Sequence, residues 1–148
     1  DEICDLIGDY SSYFTAFYLT IDKNYRIEYC NAGHQKSLVV QKNKKKITII
    51  DSNGSPIGIA KEFGLMYESK SLQLQKDDLI FLFSDGIVES MNEDKKEFSL
   101  ENFIDLISKN YQKPIDEIAL ATHKSLENWV KSMDKIKDDL TLFITQLK

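Results

Sequence analysis

The sequence predicts an α+β protein, mostly antiparallel strands in its first half with two helices late in the chain. Three observations carry this. Between Phe14 and Phe83, short runs rich in β-branched and aromatic residues alternate with polar turns. After Asn92-Glu93-Asp94-Lys95-Lys96 the apolar period becomes helical, and Leu140 to Leu147 returns to strand character. The order is therefore about six strands, two helices and one strand.

Each element has a local reason. Phe14–Ile21 and Tyr25–Asn31 are joined by Asp22-Lys23-Asn24, short and polar enough for a hairpin turn, so these two strands are antiparallel neighbours. Tyr25, Ile27 and Tyr29 alternate with Arg26 and Glu28, which gives one buried face. Ser37–Gln41 and Lys46–Asp51 flank the basic cluster at Lys42 to Lys46, read as a solvated hairpin loop rather than a phosphate-binding patch. Leu65–Leu74 and Leu79–Phe83 complete the first set, with Lys76-Asp77-Asp78 as the polar turn before the last strand. Ser99 is placed to cap a helix whose Leu100, Phe103, Ile104 and Ile107 share a face. Pro114 is placed to start a second, with Ile115, Ile118, Ala119, Thr122, Leu126, Trp129, Val130 and Met133 on its stripe. Neither helix is long enough to be stable alone in water, so both are expected to pack on one face of a sheet, Trp129 the most buried of their residues. Without internal repeats or a linker-like segment, residues 1–148 read as one domain.

Composition narrows the function classes. A chain of 148 residues, 42% hydrophobic and 29% charged, can build a real core. A net charge of -5 disfavours a nucleic-acid surface. Cys4 and Cys30 form neither a disulfide framework nor a zinc motif, and are expected to be reduced in an intracellular protein. No apolar stretch approaches the roughly 18 residues of a membrane span, and Asp1-Glu2 is unlike a secretory signal. The expectation is a cytoplasmic segment with no membrane part of its own.

The chemistry concentrates at two strand ends. Leu79-Ile80-Phe81-Leu82-Phe83 delivers Asp85 to a glycine turn at Gly86, and Asp138-Asp139 opens the final apolar run. Adjacent strand ends would bring Asp85 and Asp138 together, and oxygen-only ligation suits magnesium or manganese. A lone Asp-Gly after a strand is usually only a turn, with glycine supplying a positive φ. The decoy Lys76-Asp77-Asp78-Leu79 repeats the paired-carboxylate pattern, so acidic pairs alone prove little.

A set of short patterns occurs in one order: Phe14-Thr15-Ala16-Phe17-Tyr18, Tyr29-Cys30-Asn31-Ala32-Gly33-His34, Gly54-Ser55-Pro56-Ile57-Gly58-Ile59, Phe83-Ser84-Asp85-Gly86-Ile87-Val88-Glu89 and Asp138-Asp139-Leu140-Thr141. Together they resemble the bacterial SpoIIE-type serine phosphatases, a branch of the metal-dependent protein phosphatases typified by protein phosphatase 2C. The resemblance implies an antiparallel β-sandwich flanked by helices, with two Mn2+ or Mg2+ sites at one end in the complete domain. It implies Asp85 and Asp138 as the catalytic metal ligands, and a supporting place for Asp139 and Gly86. His34 is implied at a strand-turn near the same cluster, where it either ligates or hydrogen-bonds across the tight Ala-Gly turn. The family begins with an upstream strand whose aspartate bridges the metals, and Gly8-Asp9-Tyr10-Ser11-Ser12 matches it only superficially and reads as loop. On that comparison residues 1–148 correspond to the carboxy-terminal two thirds of a phosphatase domain, an incomplete fold.

The implied activity is attack of a metal-activated water on a phosphoserine or phosphothreonine of a partner protein, such as an anti-sigma-factor antagonist, under a sensor domain elsewhere in the parent. With one bridging carboxylate absent, two cations would bind weakly. Two rival readings remain. One is a catalytically incompetent module docking a regulatory protein of the same type, and the other a purely structural fold with accidental carboxylates.

Overall fold

The computed structural model describes residues 13–58, 67–132, 136 and 138–148. In chain order the elements are β1 (Ala16–Ile21), β2 (Arg26–Ala32), β3 (Ser37–Gln41), β4 (Lys46–Ile50), β5 (Lys70–Gln73), β6 (Leu79–Phe83), a short helix α1 (Asp85–Val88), α2 (Leu100–Asn110), α3 (Ile115–Val130) and β7 (Leu142–Gln146). The described residues divide into two compact units, one drawn from residues 13–36, 50–58 and 67–75 and the other from residues 37–49 and 76–148.

The first unit holds an antiparallel sheet in the order β1-β2-β5. Asp22 makes the β1–β2 hairpin by itself: its Oδ1 accepts from the amides of Asn24 (2.8 Å) and Arg26 (2.9 Å). Such a side-chain turn is why aspartate suits that position. The alternation expected for β2 holds, with Ile27 and Tyr29 buried and Arg26 and Glu28 exposed. Phe17 stacks on Tyr29, ring centroids 6.0 Å apart. β1 starts two residues later than the apolar run, because Phe14 makes only an isolated bridge with Ile57. β5 is likewise shorter than Leu65–Leu74, whose first two residues lie outside those described.

The second unit holds a sheet in the order β4-β3-β6-β7, with β6 antiparallel to both neighbours. The basic cluster is a single 3-10 turn, Lys42–Lys44, and its first amide donates to Asp78 Oδ1 at 2.9 Å. Asp78 is 2% exposed, so the acidic decoy pair serves the architecture. Ser99 caps α2, its Oγ accepting from Asn102 N at 3.3 Å, and Pro114 stands just before α3. Phe103, Ile107, Ile118 and Leu126 join Leu38, Val40, Leu79, Phe81 and Phe83 in one apolar cluster, so both helices pack on this sheet. Phe83 meets Phe103 edge-on at 4.8 Å. Each such side chain contributes roughly 1.5–3 kcal/mol through burial, which is what holds the otherwise marginal helices.

Trp129 departs from expectation. It is only half-buried, whereas Phe103, Ile107 and Ile118 are 0% exposed. Its indole needs an acceptor, and it reaches the carbonyl of Ser90 at 3.1 Å from a perch edge-on to Phe98. Met133, expected on the same stripe, lies outside the described residues.

Candidate functional site

The site in the second unit is built by continuing the β6–β7 pairing past its last register, Phe83 opposite Leu142. Ser84 N donates to Thr141 O at 3.0 Å. The Ser84 hydroxyl accepts from Thr141 N (3.0 Å) and donates to Asp139 O (2.8 Å), clamping residues 55 and 57 positions away. One serine thus fixes the segment that opens β7 against the turn that closes β6.

Gly86 corrects the plain-turn reading of Asp-Gly. It lies in α1 and is not among the positive-φ glycines, which among the described residues are Gly33 and Gly58. A Cβ at residue 86 would stand 2.7 Å from Asp139 O and 3.2 Å from Leu140 Cδ2. Glycine is required by the close approach of the two strand ends, not by φ.

Asp85 and Asp138 are exposed, and among the described residues each is held only locally. Asp85 Oδ1 accepts from Gly86 N and Asp138 Oδ1 from Asp139 N, both at 3.0 Å. Glu89, one helical turn after Asp85, has its pKa raised, first by partial desolvation and then by the carboxylates of Asp85, Glu97 and Asp138. Among the described residues the corner therefore carries more carboxylates than cations. It borders a cleft of about 510 Å³ lined by Gly86, Glu89, Ser90, Met91, Lys95 and Asp138 with Ile136. Ser90 ties the cleft to its surroundings: its Oγ donates to Gly86 O at 2.6 Å, and its carbonyl accepts from Phe98 N (2.9 Å) as well as from Trp129.

Hard, anionic oxygens in a field negative enough to raise a neighbouring acid are the donor chemistry that Mn2+ or Mg2+ requires. The donor type fits, but the set is short: among the described residues no group of three or more His, Cys, Asp or Glu side chains is arranged to hold a metal ion. Asp139 contributes its carbonyl to the Ser84 clamp.

His34 lies in the first unit, on the turn that follows β2. Its amide donates to Asn31 Oδ1 (2.7 Å), its carbonyl accepts from Asn31 Nδ2 (2.9 Å), and its Nδ1 shares a hydrogen bond with Thr15 Oγ1 (3.2 Å). Asn31 is 3% exposed and also donates to Asp51 Oδ1 at 2.7 Å, while its amide donates to Ser52 Oγ at 2.6 Å. Gly33, at φ 69, would drive a Cβ to 2.5 Å from Pro56 Cγ, and one at Gly54 would stand 2.2 Å from Asn31 O. The Asn-Ala-Gly-His and Gly-Ser-Pro-Ile-Gly motifs are thus two halves of one close-packed loop pair.

The sequence patterns include Ser84, Glu89 and Lys95 without giving them a role, and Ser90 stands in none of them. Glu89 was findable, since its spacing of four from Asp85 places both on one side of a helical turn. Ser84 acts through contacts distant in sequence, and Ser90 joins Gly86, four positions back, to Trp129, far along the chain, so neither leaves a motif to read. Gly8-Asp9-Tyr10-Ser11-Ser12 and Cys4 lie outside the described residues, and Cys30 is a free thiol.

The family model of Stage II sporulation protein E (SpoIIE) matches residues 2–148. Two Bacillus subtilis proteins are similar over most of the chain: phosphoserine phosphatase RsbU, 25% identical over 95% of this chain and 41% of RsbU, and phosphoserine phosphatase RsbP, 26% identical over 89% of this chain and 30% of RsbP. The chain thus spans less than half the length of either relative. Among solved structures, the SiaA-PP2C domain of Pseudomonas aeruginosa aligns with TM-score 0.76 at 16% identity, covering 90% of this chain and 52% of that one. The manganese-presoaked phosphatase domain of SpoIIE from Bacillus subtilis aligns with TM-score 0.65 at 20% identity, covering 90% and 56%. These likenesses establish the fold, the α+β class of PP2C-like domains with two antiparallel sheets and flanking helices.

Proposed function

The chain belongs to the SpoIIE family, and from that premise we propose that it is the carboxy-terminal two thirds of a metal-dependent protein serine/threonine phosphatase domain that dephosphorylates a regulatory partner protein. The observation that carries the reading is the Ser84 clamp, which gathers Asp85, Asp138 and Asp139 at one strand-end corner. The phosphoserine phosphatase activity named for RsbU and RsbP supports it.

In this reading Asp85 and Asp138 hold Mn2+ or Mg2+, two ions in the complete domain. When bound, such cations lower the pKa of a coordinated water and offset charge on the phosphoryl oxygens. The chain's own work is geometric and electrostatic. Asp85 and Asp138 present acceptor oxygens, Ser84 and the Asp139 carbonyl fix their spacing, and Gly86 admits the approach. His34 maintains its own turn through Asn31 and Thr15. The substrate is a phosphoserine or phosphothreonine protein of the anti-sigma-factor antagonist type, in sigma-factor signalling. A cytoplasmic setting is consistent with the described helices, none of which is long and apolar enough to cross a membrane.

The test is hydrolysis of a small aryl phosphate by the complete protein across a manganese or magnesium titration. Activity should require the metal, and Asp85→Asn should remove at least about 99% of it, because a neutral amide cannot offset cation charge. A second reading, a docking module for the same partner without catalysis, is favoured by the short carboxylate set among the described residues. A complete protein with no metal-dependent hydrolysis but intact partner binding would decide for it.

A further inference from the structure

The 510 Å³ cleft beside Asp138 is much larger than a phosphoryl group, and lies in the size range of pockets that enclose several chemical groups. Its lining is divided by character. Glu89 and Asp138 are acidic, Met91 and Ile136 apolar, and Lys95 is the one cation among the described lining residues. Resting on the phosphatase reading, we propose that Lys95 is a specificity-determining residue, whose ammonium selects a phosphoserine or phosphothreonine segment bearing an acidic side chain next to the phosphorylated residue.

Lys95 sits on a small hairpin closed by the Met91–Glu97 bridge, with Asn92 N donating to Lys96 O (3.0 Å), Lys95 N to Asn92 O (3.0 Å) and Lys96 N to Asn92 Oδ1 (2.9 Å). The turn is therefore held by backbone and Asn92, and the Lys95 side chain is not needed to make it. The backbone of Lys95 is left-handed (φ 60), as is that of Lys45 and Lys131, so the strain alone says nothing about a ligand. What distinguishes Lys95 is its surroundings. Carboxylates of Glu89, Glu97 and Asp138 lie around the same corner, yet among the described residues Lys95 forms no ion pair with any of them. Its charge stays available to an incoming anion. An acid would be repelled by the rest of the cleft, so a substrate carboxylate gains most by settling at Lys95, and a substrate cation there loses most. A small aryl phosphate has no flanking group to reach it.

The experiment compares two phosphoserine peptides, identical except for glutamate or lysine beside the phosphoserine, as substrates of the complete protein with manganese. Variants Lys95→Gly and Lys95→Asp both tolerate a left-handed backbone, so a folding defect does not confuse the result. Wild type should favour the glutamate peptide in kcat/KM by roughly tenfold, through KM. Lys95→Gly should bring the ratio to one or below, because the remaining carboxylates then favour the lysine peptide, and Lys95→Asp should lower it further. A ratio equal in all three proteins overturns the proposal. So does a uniform fall for both peptides and for an aryl phosphate, which would assign Lys95 to the phosphoryl group itself. Failure of the phosphatase reading is told apart by Asp85→Asn: if it hydrolyses the peptides as wild type does, that reading falls. Direct binding of the two peptides, followed by fluorescence of the single tryptophan, Trp129, bonded to Ser90 of the cleft, then tests Lys95 without turnover.

Discussion

Two turns follow strands in this chain and use their polar groups differently. After β2, Asn31 is nearly fully buried, and both ends of its amide are occupied by His34 and Asp51. After β6, Asp85 and its counterpart Asp138 are exposed, and among the described residues each accepts only from the next amide in the chain. A polar group with all its partners inside the fold fixes the backbone. A charge with one local partner is a cost the fold accepts, because among the described residues the carboxylates that gather there outnumber the cations. The first turn reads as architecture and the second as chemistry.

The sharpest way to break this comparison is to exchange readouts. Asp138→Asn should lower metal-dependent hydrolysis by about 100-fold or more while leaving the denaturation midpoint unchanged or slightly higher, since it removes repulsion. Asn31→Ala should do the reverse. It leaves the Asp51 carboxylate and the His34 carbonyl and amide short of partners, at about 2–4 kcal/mol of stability in urea unfolding, with activity falling only as the folded fraction falls. If Asp138→Asn unfolds the protein, or Asn31→Ala is neutral, the division between the turns is wrong.

The glycines sharpen it further at smaller cost. Gly33→Ala meets both an unfavourable φ of 69° and Pro56, and should lose about 1–3 kcal/mol of stability without a matching loss of activity per folded molecule. Gly86→Ala has no φ problem but pushes against Asp139 O. It should separate the two strand ends and lower kcat, measured on folded protein, more than it lowers the unfolding midpoint. Equal effects on both quantities in the two variants would remove the distinction.

Much of this was legible in the residues because the signals are local. Ser37–Gln41 and Leu79–Phe83 can be read to both ends, being apolar runs set off by polar turns. Ser99 was readable as a cap because the helical stripe begins right after it. The misses are non-local. Phe14 has the composition of a strand residue, but among the described residues its only ladder partner is Ile57. The four-residue helix α1 is too short to show a period. Gly86 looked like a turn glycine because the atom that excludes a Cβ, Asp139 O, is far away in sequence. Strand ends suggested a meeting of Asp85 and Asp138, whereas the clamp at Ser84 and the cleft at Ser90 and Lys95 depend on the folded path of the chain.

The smallest expected effect concerns the architectural side alone. Tyr29, 8% exposed on β2 and two residues before Asn31, has its hydroxyl pKa raised above 10, chiefly by burial; Lys70 opposes the shift, and the carboxylates of Asp51 and Glu68 add to it. A group whose folded pKa lies above its unfolded value stabilises the fold fully below the unfolded pKa, and that contribution is lost as pH rises through the folded pKa. Stability should therefore be flat with respect to Tyr29 at neutral pH and decline above about pH 10. Tyr29→Phe should flatten part of that decline and leave the metal dependence of hydrolysis at neutral pH as it was. The measurement is a set of urea midpoints from pH 8 to 11 for both proteins. Identical alkaline slopes would show that Tyr29 ionises as freely as an exposed phenol, and that the loop pair around Asn31 is less closed than its hydrogen bonds imply.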